Sequence, residues 1–191
     1  MIKREIYMSR IRPFIGNELI KVLTGIRRSG KSVMLSLIQE ELAQNGVQPE
    51  QFISLNFENM SNAHLCTAVA LHDEILRRTK EISGKVYLFF DEIQEAPRGI
   101  TSLKYFNELA PEYHIVAAGS YMGLALRREN ESFPVGKLDH LTMRPMGFAE
   151  FVRAVDGGPL ADAVLAPDMD LLANVAEKLE RLLKEYLVVG G

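Results

Sequence analysis

The stretch Thr24–Ser32, TGIRRSGKS, directly follows the apolar run LIKVL. Two glycines and two small hydroxyl residues surround Arg27-Arg28 and Lys31. The glycines and polar residues end the strand, and two adjacent arginines resist burial. Residues 25–32 fit G-x-x-x-x-G-K-[ST], the pattern of a phosphate-binding loop between a strand and a helix. Gly25 and Gly30 allow unusual dihedrals and close backbone approach. Loop amides then form an anion nest, and a helix beginning near Lys31 adds its positive end. The candidate phosphate site is therefore Gly25, Ile26, Arg27, Arg28, Ser29, Gly30, Lys31 and Ser32. Lys31 would reach the β- and γ-phosphates, and the Ser32 hydroxyl would ligate Mg²⁺. Because amides do the cradling, Arg27 and Arg28 are free to face solvent or a partner subunit. The bland alternative is a chance glycine-rich turn, but the strand-before, helix-after context is what the motif requires.

The chain of 191 residues, 47% hydrophobic and 25% charged, has enough apolar material for a real core. A net charge of −3 gives no support for a general nucleic-acid binder. The single cysteine, Cys66 in AHLCTAVAL, cannot form an internal disulfide and reads as a buried free thiol. No apolar run approaches the roughly 20 residues of a membrane span. The start, MIKREIYMSR, lacks the apolar segment of a secretory signal. The expected location is the cytoplasm, with no membrane contact.

Short apolar runs alternate with helical patterns. Strands are expected at 18–24, 51–58, 85–92, 113–120 and 137–143, the third and fourth as continuous buried runs. Helices are expected after the loop to Asn45-Gly46, over 64–80, after Pro97, over MGLALRREN, and through most of the chain from Met146 onward. Strands separated by helices imply right-handed crossovers and a mostly parallel sheet covered on both faces, an α/β fold. Ligands in such sheets sit at the carboxyl ends of the strands, where the loop lies.

The run VYLFFDE ends in Asp91 and Glu92. An acid there can hold Mg²⁺ through water, and its neighbour can polarise an attacking water. Alone, the pair would read as a solvated strand end. The glutamate favours transfer to water over transfer to a second substrate. Ser120, in AAGSYMG, either contacts the γ-phosphate or lytic water or caps the next helix. Arg127 and Arg128 either complement a helix carboxyl end or supply an arginine finger to a neighbouring subunit, with Arg128 the candidate. His64, His72, His114 and His140 show no metal-ligand spacing, and His72 reads as solvated.

The runs IRPFIGNELIKVLTGIRRSGKS, LFFDEIQ, AAGSYMGLAL, SFPVGKLDHLTMRPMGFAEF and EYLVVGG occur in the order seen in a family of prokaryotic AAA-type ATPases. This chain resembles that family over nearly its whole length. The resemblance implies a three-layer P-loop fold with strand order 5-1-4-3-2, and ATP/ADP with Mg²⁺ as ligands. It places Lys31, Ser32, Asp91, Glu92 and Ser120 at the family's loop, metal, water and sensor positions. Family members run about twice this length, with a C-terminal domain of unknown function. The implied organisation is a P-loop ATPase core over 1–145 and a helical segment or lid over 146–191, ahead of a second domain. Leu171, Leu172, Val175, Leu179, Leu182, Leu183, Tyr186 and Leu187 fall on roughly one helical face. That stripe packs on its own domain or awaits a partner domain.

Two functions share these residues: Mg²⁺-dependent ATP hydrolysis coupled to motion of an attached or partner domain, and a nucleotide-gated switch with little turnover. A small P-loop kinase fits the length, but Glu92 after Asp91 and the lack of an arginine-rich lid count against it. Homo-oligomerisation is left open. Tyr7 to Ile11 is a candidate border for the base.

Overall fold

A computed structural model describes residues 2–96, 103, 106, 112–120, 138–165 and 169–189. Two compact units emerge, one of Glu5–Met143 and one of Met1–Arg4 with Arg144–Gly191.

The larger unit holds five parallel strands: β1 (Ile20–Gly25), β2 (Phe52–Asn56), β3 (Val86–Asp91), β4 (Tyr113–Gly119) and β5 (Leu138–Met143). Their order is β2-β3-β4-β1-β5, the expected order read from the other edge. Every residue of β3 and β4 is buried, as continuous apolar runs require of central strands. The edge strand β2 buries only Ile53 and Leu55 fully, which explains its alternating sequence.

Side-chain alternation along β3 builds two cores. Val86, Leu88 and Phe90 face Leu71 and Ile75 of helix α3 (Ala68–Thr79). Tyr87 and Phe89 join Met34, Leu35 and Ile38 of helix α2 (Lys31–Gln44) on the other face. Helix α1 (Glu5–Ile11) contributes Tyr7, Met8 and Ile11 to that second core. Its seven residues are too short for a clear helical period, so the sequence pattern did not announce it. Val33, counted in the apolar pattern of α2, is 40% exposed.

The helix expected over 64–80 is split. Residues Met60–Leu65 form 3₁₀ turns, and Thr67 starts α3 by accepting the Ala70 amide at 3.3 Å. Cys66 is half-buried against the core rather than fully inside it. His72 stacks on Phe106 at 5.7 Å, so its ring is packed on one side rather than solvated. His114 is buried, and that burial lowers its pKa below the usual histidine value.

In the smaller unit, helices α4 (Phe148–Val155), α5 (Gly158–Leu165) and α6 (Met169–Val189) enclose Val152, Leu160, Ala161 and Leu182. Val175 and Leu179 pack against this core, and the Tyr186 hydroxyl donates to the Met146 carbonyl at 2.8 Å. The side chains of Leu171 and Leu172 lie outside the described residues; of the other six in the expected stripe, Val175, Leu179, Leu182 and Tyr186 pack. Leu183 is 41% and Leu187 72% exposed. No helix among the described residues is long and apolar enough to cross a membrane.

Candidate nucleotide site

Parallel strands bring their carboxyl ends to one edge of the sheet. Thr24 of β1 pairs with Gly119 of β4, and Asn56 of β2 with Asp91 of β3. Strand β4 lies between β1 and β3. Ser120, just past β4, therefore stands between the glycine-rich loop and the two acids.

The loop has the backbone its sequence demands. Gly25 has φ +149° and Gly30 φ +87°. A Cβ on Gly25 would lie 2.3 Å from the Met143 carbonyl oxygen and 2.7 Å from Ser29 Oγ. Gly25→Ala is thus expected to destabilise the fold by about 2–4 kcal/mol, read as a lower denaturation midpoint with an unchanged slope. Arg28 adopts the left-handed region at φ 66° without being glycine, at a cost on the order of 1–2 kcal/mol. Arg27 and Arg28 are exposed, as adjacent charges require, and Ile26 is 62% exposed. The first helical bond of α2 runs from the Met34 amide to the Gly30 carbonyl at 2.9 Å. The Ser29 amide donates to the Ile26 carbonyl at 3.2 Å, and the first-turn amides of α2 have no intrahelical acceptor.

Lys31 is 3% exposed, a costly place for a cation without partners. Its Nζ donates to the Gly25 carbonyl (3.3 Å), the Ile26 carbonyl (3.1 Å) and Ser120 Oγ (2.9 Å). The Ser120 hydroxyl donates onward to Glu92 Oε2 at 3.4 Å. Loop lysine, strand-end serine and strand-end glutamate form one connected line.

Asp91 is buried at the end of β3. Burial raises its pKa above the usual carboxylate value, and the neighbouring Glu92 charge adds to that. Contact with the Ser32 hydroxyl, the Glu92 amide and the Lys31 charge oppose the rise. The Glu92 amide donates to Asp91 Oδ1 at 3.1 Å, and Asn56 Nδ2 donates to Oδ2 at 3.4 Å. An acid with a raised folded-state pKa keeps its proton longer than in the unfolded chain, so the stability it contributes falls as pH rises through that value. The ligand-free melting temperature is therefore expected to fall as pH rises out of the carboxylate range, and that fall should be smaller in Asp91→Asn, which cannot ionise; equal pH dependence in the two proteins would remove the effect.

The sequence profile of a family described as an AAA domain matches residues 17–152. The chain belongs to that AAA family. An uncharacterized protein of Haemophilus influenzae is 32% identical to the AAA chain over 156 residues, 81% of the chain and 38% of the relative. The chain thus spans well under half the length of that relative. A DNA polymerase III γ subunit-related protein of Thermotoga maritima shares the fold, with TM-score 0.50 and 13% identity. That likeness covers 93% of the AAA chain and 57% of the other. The family is one of nucleotide-binding ATPases.

Of the residues singled out in the sequence, Lys31, Ser32, Asp91, Glu92 and Ser120 come together in the AAA chain. Arg127 and Arg128 lie outside the described residues, as do the expected helix over MGLALRREN and most of that after Pro97. Two polar neighbours were not singled out. Asn56 ends β2 beside Asp91, a position visible as a polar residue closing an apolar strand. Gln94 Nε2 donates to Glu92 Oε2 at 2.6 Å. No short-range pattern marks that contact, since it depends on the turn after β3.

Proposed function

We propose that this chain binds ATP with Mg²⁺ and hydrolyses it, and that the change between bound states is passed to an attached or partner domain. The carrying observation is the line from Lys31 through Ser120 to Glu92, laid beside a loop whose amides precede a helix. In this reading the loop amides and Lys31 bind the β- and γ-phosphates. Lys31 exchanges its present carbonyl and hydroxyl acceptors for phosphate oxygens, at little cost because the ammonium is already desolvated. Ser32 and Asp91 would hold Mg²⁺, a reading supported by the contact of the Ser32 hydroxyl with the Asp91 carboxyl. Bound there, the ion neutralises charge on the phosphate oxygens.

Glu92 takes a proton from a water as its oxygen bonds to the γ-phosphorus. The bond from that phosphorus to the β–γ bridging oxygen breaks, ADP leaves with the electron pair, and the proton passes to the released phosphate. Ser120 donates to Glu92, which supports a role for it in orienting the water or the γ-phosphate. Arg128 is assigned as a cation acting on a neighbouring subunit.

The test is phosphate release from ATP with and without Mg²⁺ over a range of protein concentrations. Metal-dependent turnover supports hydrolysis, and a steep rise with concentration supports an arginine supplied between subunits. Tight ATP binding without turnover would favour the switch. Absence of binding would sink the phosphate-loop assignment.

A further inference from the structure

Glu92 is held in an unusual way. Its backbone is left-handed, φ 50° and ψ 45°. For a residue with a Cβ this costs on the order of 1–2 kcal/mol, so surrounding contacts must impose it. The Glu92 amide is bonded to Asp91 Oδ1. The Glu92 carbonyl accepts the Glu95 amide at 3.0 Å, closing a 3₁₀ turn over Ile93–Glu95 whose Ile93 is fully buried. This turn swings Gln94 back over the Glu92 side chain.

The orientation of the Gln94 amide follows from its neighbours. Glu92 Oε2 at 2.6 Å and Glu95 Oε1 at 3.4 Å are both carboxylate acceptors, so both face the amide nitrogen. Gln94 Oε1 is buried without a hydrogen-bond partner among the described residues. The Gln94 contact with Glu92 is therefore made by the donating side of the amide alone. Ser120 donates to the same oxygen, Oε2. Both described donors thus hold one carboxylate oxygen, and Oε1 keeps its lone pairs.

We propose that Gln94 is a positioning residue that fixes Oε2 of Glu92, so that Oε1 is the atom that takes the proton from water. This rests on the hydrolytic reading above. A general base contributes through its placement as well as its basicity, and a misplacement of about 1 Å can cost on the order of 10²-fold.

Gln94→Met tests this, since it keeps length and apolar bulk but removes the donor. The expected result is a fall in kcat of roughly 10- to 100-fold, with ATP affinity and melting temperature unchanged. In a Glu92→Gln background the same change should have no further effect. Gln94→Glu gives a second readout: its turnover relative to wild type should rise as pH falls, because a protonated carboxyl can donate where an ionised one repels. Wild-type kcat in Gln94→Met, in a protein whose turnover depends on Glu92, would overturn the proposal and leave hydrolysis standing. Equal losses in the presence and absence of Glu92 would also overturn it. A wild type with no Glu92-dependent turnover would remove the hydrolytic reading, and this proposal with it.

Discussion

Glu92→Gln is expected to retain ATP at wild-type affinity and to lose at least about 10²-fold in turnover. The substitution keeps the side chain's size and one acceptor oxygen, so the turn after β3 can persist. What disappears is the carboxylate able to accept a proton. Gln94 and Ser120 meet at Glu92 Oε2, and a glutamine carbonyl can accept both if it takes that place. The backbone at φ 50° is equally strained in either protein. The expected signature is therefore a trapped ATP complex, seen by calorimetric titration beside a phosphate-release assay. Turnover near the wild-type rate would move the base elsewhere.

Lys31→Ala is expected to weaken ATP binding by on the order of 10²-fold, the value of one charge-assisted contact of about 1.5–3 kcal/mol. The ammonium is buried with three acceptors, two of them loop carbonyls. Removing it takes from the incoming phosphates the cation that would exchange those acceptors for phosphate oxygens. Calorimetric titration with ATP and Mg²⁺ gives the affinity. The thermal stabilisation that ligand confers on wild type should largely vanish at the same concentration. An unchanged affinity would show that the loop amides alone carry the phosphates.

The two substitutions separate binding from chemistry because their residues come from different parts of the chain. Residues 25–32 were readable as a loop since G-x-x-x-x-G-K-S is contiguous. Asp91 and Glu92 were readable because an apolar run that ends in two acids marks a buried strand opening onto solvent. Gln94 lies two residues beyond Glu92, yet its role depends on a left-handed Glu92 and the turn that follows. The left-handed Arg28 was equally unannounced, because arginine carries no preference for that conformation. The split at Thr67 has another cause. The apolar spacing of 64–80 suits one helix, but a threonine that caps with its own side chain starts a helix there.

An α/β chain with a phosphate loop after the first strand and acids after the third is legible in the residues alone. Those features are local: a hydrophobic period, glycines where φ must be positive, and charges where burial ends. The resemblance in motif wording added the strand order. What required the folded chain was the register that sets Thr24 opposite Gly119, and the bonds that Ser120 makes there to both Lys31 and Glu92. Such contacts join residues 89 and 28 positions apart. Nothing in a short window of sequence encodes them, because they arise from which strands pair and in what register.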